Sequence, residues 1–139
     1  FNYHGIIPKI IIEPLIRTDK NKIPQEISVY CFNGKPKIIV WFQKPETSGA
    51  SLYDENLNII DDVLIKGDIK INLIANENIH KALHLSGKLS KNFDFVRVDW
   101  MLDNCKLYFE ELTFTPYSGF KLFNGNWNEI LGNWLNLSK

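Results

Sequence analysis

Residues 95–116 read FVRVDWMLDNCKLYFEELTFTP, and this stretch decides the fold because it contains two apolar runs separated by a short polar turn. The runs predict strands over residues 93–102 and 107–115. Side chains alternate between the two faces of a strand. Arg97 and Asp99 therefore share one face, while the two valines and the tryptophan that alternate with them share the other. The pattern predicts an antiparallel hairpin with one apolar face and one polar face.

The register of this hairpin determines whether two carboxylates meet. A three-residue loop would pair Asp103 with Leu107, and hence Asp99 with Glu111. A two-residue loop would instead pair Asp99 with Glu110. We favour the three-residue loop, which puts two like charges side by side, an arrangement that destabilises a sheet by up to about 1 kcal/mol. A bound divalent cation would remove that cost.

The face that carries the two carboxylates holds further polar side chains. Arg97 flanks Asp99 on the first strand, and alternation places Phe109 and Thr113 on either side of Glu111 on the second. Carboxylate oxygens are ligands that Mg²⁺ prefers, and arginine can hold a phosphate oxygen. The pattern thus fits a site for magnesium and phosphate. Spacing alone leaves open a plain alternative, a solvated polar face with an Arg–carboxylate ion pair.

The rest of the chain predicts more strands and two helices. Strands are predicted over residues 9–17, 26–33 and 37–43, and short strands or connectors at 51–54 and 58–64. Asn33-Gly34 between two apolar runs predicts a type I′ turn, here lengthened by Lys35 and Pro36. A helix is predicted over residues 76–91, with Asn76 as N-cap, and a short one over residues 127–136. The apolar stripe of the longer helix comprises Ile79, Ala82, Leu83, Leu85 and Leu89.

This order of elements bounds the fold class and the range of functions. Two strands, a helix and two strands predict an α+β domain with a mostly antiparallel sheet, one main helix and a short C-terminal helix. The 139 residues fit a single domain.

Sixteen basic and sixteen acidic residues give no net charge, which argues against broad nucleic-acid binding. No apolar run approaches the roughly 20 residues of a membrane span. Cys31 and Cys105 form no C-x-x-C motif, so we expect reduced thiols in a cytoplasmic protein.

Several blocks of sequence resemble the TupA-like ATP-grasp family, which is linked to teichuronopeptide and other cell-surface polysaccharide synthesis. They are IIIEPLI at residues 10–16, CFNGKP at 31–36, LSKNFDFVRVD at 89–99 and ELTF at 111–114. The R-x-D strand followed by an E-x-N-like strand and a proline is similar to the end of the ATP-grasp fold. The resemblance covers nearly the whole chain. It implies the C-terminal lobe of an ATP-grasp fold and a cofactor pair of ATP and Mg²⁺.

The resemblance also implies roles for individual residues. Asp99 and Glu111 would coordinate magnesium that bridges the β- and γ-phosphates of ATP. Arg97 would contact phosphate or the reacting acyl phosphate. Thr113 stands where many ATP-grasp enzymes have a metal-binding asparagine.

Two further segments would contact the nucleoside, by the same resemblance. The segment Glu13-Pro14-Leu15 is similar to the hinge whose backbone contacts the adenine edge. Glu26 is similar to the acid that accepts hydrogen bonds from the ribose hydroxyls. On residue type alone, both acids are also compatible with ordinary exposed positions on strands.

We therefore expect residues 1–139 to be one domain, the C-terminal portion of an ATP-grasp domain whose upstream lobe is missing. The implied activity is an ATP-dependent carboxylate–amine ligase that works through an acyl phosphate. Its partners would be ATP and a small-molecule, glycan or peptide acceptor, and the oligomeric state is not specified by the sequence. The alternative is a non-catalytic domain, derived from such a ligase, that binds a nucleotide or glycan.

Overall fold

A computed structural model of the chain describes residues 5–16, 23–42, 50–60, 77–103, 106–119, 126–135 and 137. Its elements are β1 (Gln25–Phe32), β2 (Lys35–Phe42), β3 (Ala50–Asp54), α1 (Glu77–Ser90), β4 (Phe95–Asp103), β5 (Lys106–Thr113) and α2 (Trp127–Trp134). The strands form one sheet in the order β3-β2-β1-β4-β5, and every neighbouring pair is antiparallel. The predicted α+β class, with one main helix and a short C-terminal helix, is confirmed.

A tight turn joins β1 to β2. Asn33 and Gly34 both have positive φ, 50° and 76°, as a type I′ turn requires. Phe32 pairs directly with Lys35, so the turn has two residues and its predicted lengthening by Lys35 and Pro36 is wrong. The extra residue is absorbed instead as a register shift farther along the hairpin.

One face of the sheet packs against α1 and forms the larger core. Its buried side chains include Ile27 and Val29 of β1, Val96, Val98 and Trp100 of β4, and Ile79 and Ala82 of the helix. The indole Nε1 of Trp100 donates a hydrogen bond to Ser86 Oγ at 2.8 Å, so a polar contact also fixes the helix on the sheet. We conclude that every second residue of β1 and β4 is committed to this core.

The buried stripe of α1 differs from the predicted one. Leu89 is 40% exposed, whereas Ser86 and Ser90 are fully buried. These serines can be buried because their hydroxyls have partners: Ser86 accepts from Trp100, and Ser90 donates to the carbonyl of Gly87. The predicted N-cap, Asn76, lies outside the described residues.

The opposite face of the sheet is only partly covered. Helix α2 packs over one end of it, where Trp134 meets the ring of Phe32 at 5.7 Å. Phe32 in turn lies 5.1 Å from Phe95 of β4. Beyond this aromatic cluster the same face carries polar side chains. It is this part of the sheet that positions the candidate site.

The first described segment is exposed and forms no strand. A strand was predicted over residues 9–17, but residues 9–16 have no regular secondary structure, and Ile10 and Ile12 are more than 90% exposed. Pro14 has no N–H for a strand ladder, and the segment has no place in the strand order of the sheet. Of the elements predicted over residues 58–64, only Ile59 is seen in a bridge, with Tyr53, and residues 61–64 lie outside the described residues. In the part of the chain that the structure describes, no helix is long and apolar enough to span a membrane.

Candidate nucleotide and metal site

The sheet brings the predicted pair of carboxylates together. Asp99 on β4 lies opposite Glu111 on β5 and, on its other side, opposite Ser28 on β1. One rung along, Arg97 lies between Thr113 and Tyr30 in the same way. The predicted Asp99–Glu111 register is confirmed.

The geometry that produces this register is not the predicted one. Asp103 pairs with Lys106, so two residues separate the strands and the three-residue loop is wrong. The register then shifts between Asp99 and Trp100, where β5 has one extra residue. The shift also moves Phe109 off the carboxylate face: it pairs with Trp100 and the two rings lie 5.7 Å apart. The expectation that Phe109 flanks Glu111 on the same face is therefore wrong.

Asp99 is the centre of a dense hydrogen-bond network. Ser28 Oγ donates to Asp99 Oδ1 at 2.6 Å. Arg97 Nε donates to the same oxygen at 2.8 Å, and Arg97 Nη2 donates to Oδ2 at 2.8 Å. Asp99 is 1% exposed, so these bonds replace the water that an ionised carboxylate requires. The orientation of this carboxylate is thereby fixed.

Thr113 lies between the two carboxylates. Its Oγ1 is 2.9 Å from Asp99 Oδ2 and 2.7 Å from Glu111 Oε1, and it also accepts from Arg97 Nη2 at 3.3 Å. A hydroxyl has one proton, so it can donate to only one of the two carboxylates at a time. Three oxygen ligands thus converge with one proton between them.

This donor set fits a magnesium ion. Mg²⁺ is typically bound through one or two carboxylates, with waters and substrate phosphates completing the octahedron. Among the described residues no group of three or more His, Cys, Asp or Glu side chains could hold a metal alone. An ion at Asp99 and Glu111 would therefore depend on Thr113 and on oxygens supplied by a ligand.

Arg97 already supplies a positive charge to the site. Burial alone would lower the pKa of its guanidinium, but the hydrogen bonds and charge of Asp99 outweigh burial and raise it. Nη2 also lies 3.7 Å from Glu111 Oε1. Glu111 keeps 60% of its side chain exposed, whereas that of Asp99 is 2% exposed. The predicted alternative of an Arg–carboxylate pair is thus present at Asp99, but it is buried rather than solvated.

Two tyrosines extend the site beyond Arg97. Burial raises the pKa of Tyr30 to about 12; the nearby Tyr117 adds to this shift, and the positive charge of Arg97 opposes it. Tyr30 therefore remains a neutral hydroxyl at physiological pH. Arg97 also lies over the ring of Tyr117, with its Cζ 5.8 Å from the ring centroid.

The other predicted site residues lie on β1 and in the exposed first segment. Glu26 lies on β1 beside Met101 of β4, one rung from the Ser28–Asp99 pair and on the same face. The segment Glu13-Pro14-Leu15 is exposed and belongs to no strand.

Ser28 and Tyr30 are site residues that the sequence did not reveal. Both belong to a strand whose alternate positions are buried in the α1 core. Their position beside Asp99 and Arg97 depends on β1 pairing with β4, two strands far apart in the chain. The one sequence signal for them was that Ser28 and Tyr30 alternate with apolar residues along a predicted strand, which places both on the face opposite the core.

One face of the antiparallel sheet packs on a helix, and the other carries paired carboxylates beside an arginine, as expected of an ATP-grasp protein. The chain belongs to the TupA-like ATP-grasp family, whose profile, described as TupA-like ATPgrasp, matches residues 1–136. No match was found to a curated protein or to a solved structure.

Proposed function

We propose that the chain binds Mg·ATP on the partly open face of the sheet and acts as a carboxylate–amine ligase. The observation that carries this is that Thr113, directly opposite Arg97, has its Oγ1 within 2.9 Å of oxygens from both Asp99 and Glu111. Family membership supports ATP and Mg²⁺ as the ligands.

The proposed reaction has two transfers. A substrate carboxylate oxygen attacks the γ-phosphorus of ATP, the bond to the β,γ-bridging oxygen breaks, and ADP leaves with that electron pair. An amine nitrogen then attacks the acyl carbon of the acyl phosphate. The C–O bond to phosphate breaks, inorganic phosphate leaves, and the nitrogen loses a proton. The products are an amide, ADP and phosphate.

The residues of the chain would contribute positioning and charge. Magnesium, when bound, neutralises charge on the transferring phosphoryl group. Asp99 and Glu111, with Thr113, would hold that ion. Arg97 would stabilise negative charge on the phosphoryl oxygens, because its guanidinium is held in place by Asp99. Ser28 would keep the Asp99 carboxylate from rotating.

The position of Glu26 is compatible with the proposed ribose contact. It lies one rung from Asp99, about 7 Å along the strand. We propose the Glu13-Pro14-Leu15 segment as the adenine contact on the resemblance alone. The proposed setting is cytoplasmic synthesis of a cell-surface polysaccharide or teichuronopeptide, again by family. That the chain is the C-terminal portion of a longer domain remains a prediction.

The arrangement of Arg97 favours one alternative. Its guanidinium is already bound to Asp99 through three hydrogen bonds, so the pair is stable without a cation. A domain that binds a nucleotide or glycan without turnover would have the same geometry. ADP release in the presence of carboxylate and amine substrates would separate the ligase from this binding domain.

Nucleotide binding is tested with a single exposed acid. Glu111→Gln is expected to weaken Mg·ATP binding at least tenfold by isothermal titration, because a neutral amide replaces a charged ligand. ATP binding in EDTA should be unchanged. Glu129→Gln on α2 is the matched control, since Glu129 is also an exposed glutamate. Equal Mg·ATP affinity in Glu111→Gln and in the parent protein would refute the metal site.

A further inference from the structure

A cavity of about 240 Å³ lies on the same sheet face, beneath α2. Its walls include Tyr30, Phe32 and Phe95 from the sheet, Tyr117 from the turn after β5, and Leu131 and Gly132 from α2. The lining is almost entirely carbon. An apolar cavity of about 150 Å³ takes up benzene, so this one has room for an aromatic ring or a branched aliphatic group.

The cavity adjoins the charged site. Tyr30 and Tyr117 form part of its wall. Tyr30 lies opposite Arg97 in the β1–β4 pair, and the Arg97 guanidinium lies over the ring of Tyr117. The apolar space thus has a neutral phenol in its wall and a guanidinium next to that wall. Such a combination suits a molecule with an apolar body and an anionic head.

The order of side chains along β1 indicates which ligand the cavity binds. Glu26, Ser28, Tyr30 and Phe32 face the same side of the sheet and are paired in turn with residues 101, 99, 97 and 95. With the nucleoside proposed at Glu26 and the phosphates at Asp99, the cavity lies at the far end, across Arg97 from the nucleoside. The position beyond the γ-phosphate is where the phosphoryl acceptor must lie.

The turn that closes the cavity has strained backbone. Tyr117 and Ser118 are both in the left-handed region, with φ of 53° and 55°, although neither is glycine. Such conformations cost of order 1–3 kcal/mol each and persist where the surrounding structure requires them. In this conformation the Tyr117 ring lies against Arg97 and forms part of the cavity wall.

We infer that this cavity is the subsite for the phosphoryl acceptor. It takes a carboxylic acid with an apolar or aromatic body, whose carboxylate faces Arg97. This assignment rests on the proposed function for the identity of the neighbouring site. It excludes sugar acids as the group held here, because a hydroxyl-rich body would lose its hydrogen bonds on entering an apolar cavity.

The test uses 3-phenylpropanoate as the probe, compared with glucuronate, 3-phenylpropan-1-ol and adenosine, by isothermal titration on the full chain. Gly132→Leu should block the cavity: Gly132 lines it, and a Cβ there would meet no atom within 4 Å, so the new side chain has space to enter. Asn133→Leu is the matched control, because Asn133 is exposed on the same helix and does not line the cavity.

The parent protein should bind 3-phenylpropanoate at least tenfold more tightly than glucuronate or the alcohol. Gly132→Leu should lose at least tenfold in that affinity while retaining its melting temperature, and Asn133→Leu should match the parent. Glucuronate binding as tightly as the probe, an unaffected Gly132→Leu, or competition by adenosine would each overturn the assignment. Mg·ATP affinity is measured separately. Mg·ATP binding without probe binding refutes only this inference. Probe binding without Mg·ATP binding refutes the proposed function, and the cavity is then a carboxylate-binding site but not a phosphoryl-acceptor subsite.

Discussion

At the scale of single residues, the two carboxylates occupy different environments. Asp99 is buried and held by Ser28 and Arg97, whereas most of the Glu111 side chain is exposed. We therefore expect Asp99→Asn to lower the free energy of unfolding by about 3–5 kcal/mol, because it removes the buried negative charge that pairs with Arg97. Glu111→Gln should cost less than about 1 kcal/mol. Urea unfolding of both variants measures the difference, and equal costs would contradict this account.

Sequence reasoning reached the acids but not the residues that orient them. Asp99, Glu111 and Arg97 could be predicted because one local hairpin brings them together. Ser28 and Tyr30 could not, since their place follows from long-range pairing of β1 with β4, which leaves no local pattern. The role of Glu13 could be predicted only by resemblance, and it remains a prediction.

At the scale of elements, the hairpins were predicted correctly in position but not in detail. The turn at Asn33-Gly34 was readable because two consecutive positive φ values demand those residue types. The register shifts in both hairpins were not, because a bulge has no strong sequence requirement. In the late hairpin two errors cancelled: the loop is one residue shorter than predicted and the strand has one extra residue, so Asp99 still meets Glu111.

The β1–β2 turn offers a stability test. Gly34→Ala is expected to lower the free energy of unfolding by about 2 kcal/mol, from the left-handed backbone and the approach of the new methyl to Lys91 Cα. That approach would be 3.1 Å, to backbone that cannot easily move. Gly132→Ala on α2 is the control, where no atom lies within 4 Å and a gain of about 0.5 kcal/mol is expected. Urea midpoints that rank the two variants in the opposite order would disprove this explanation.

At the scale of the whole molecule, the predicted fold class was correct and the predicted extent of the sheet was not. The isoleucine-rich segment at residues 9–16 has the composition of a strand but no place in the strand order. Composition shows that a segment is apolar; which surface it meets depends on the rest of the fold. By contrast, the helix between the two hairpins could be placed correctly, because the length of the segment and the helical spacing of its apolar residues exclude a strand.

Stability should fall at alkaline pH. Burial raises the pKa of Tyr30 from 10.0 to about 12, and that of Cys31 from 9.0 to about 11. The unfolded chain loses these protons first, so their contribution is complete below about pH 9 and is lost as pH rises towards 12. Urea midpoints measured from pH 8 to 11.5 should decline, and Tyr30→Phe should decline less steeply above pH 10. Parallel curves for Tyr30→Phe and the parent would contradict this origin.

Strand β4 alternates core and site residues along its whole length: Val96 and Val98 face the helix, Arg97 and Asp99 the open side. A slip of one residue between β4 and its neighbours would exchange the two sets, moving a guanidinium and an ionised acid into the apolar interior. Mispaired chains would therefore be unstable and would also lack the candidate site. The register that buries the valines is thus also the register that forms the site, so a stable sheet and a correctly formed site arise together during folding.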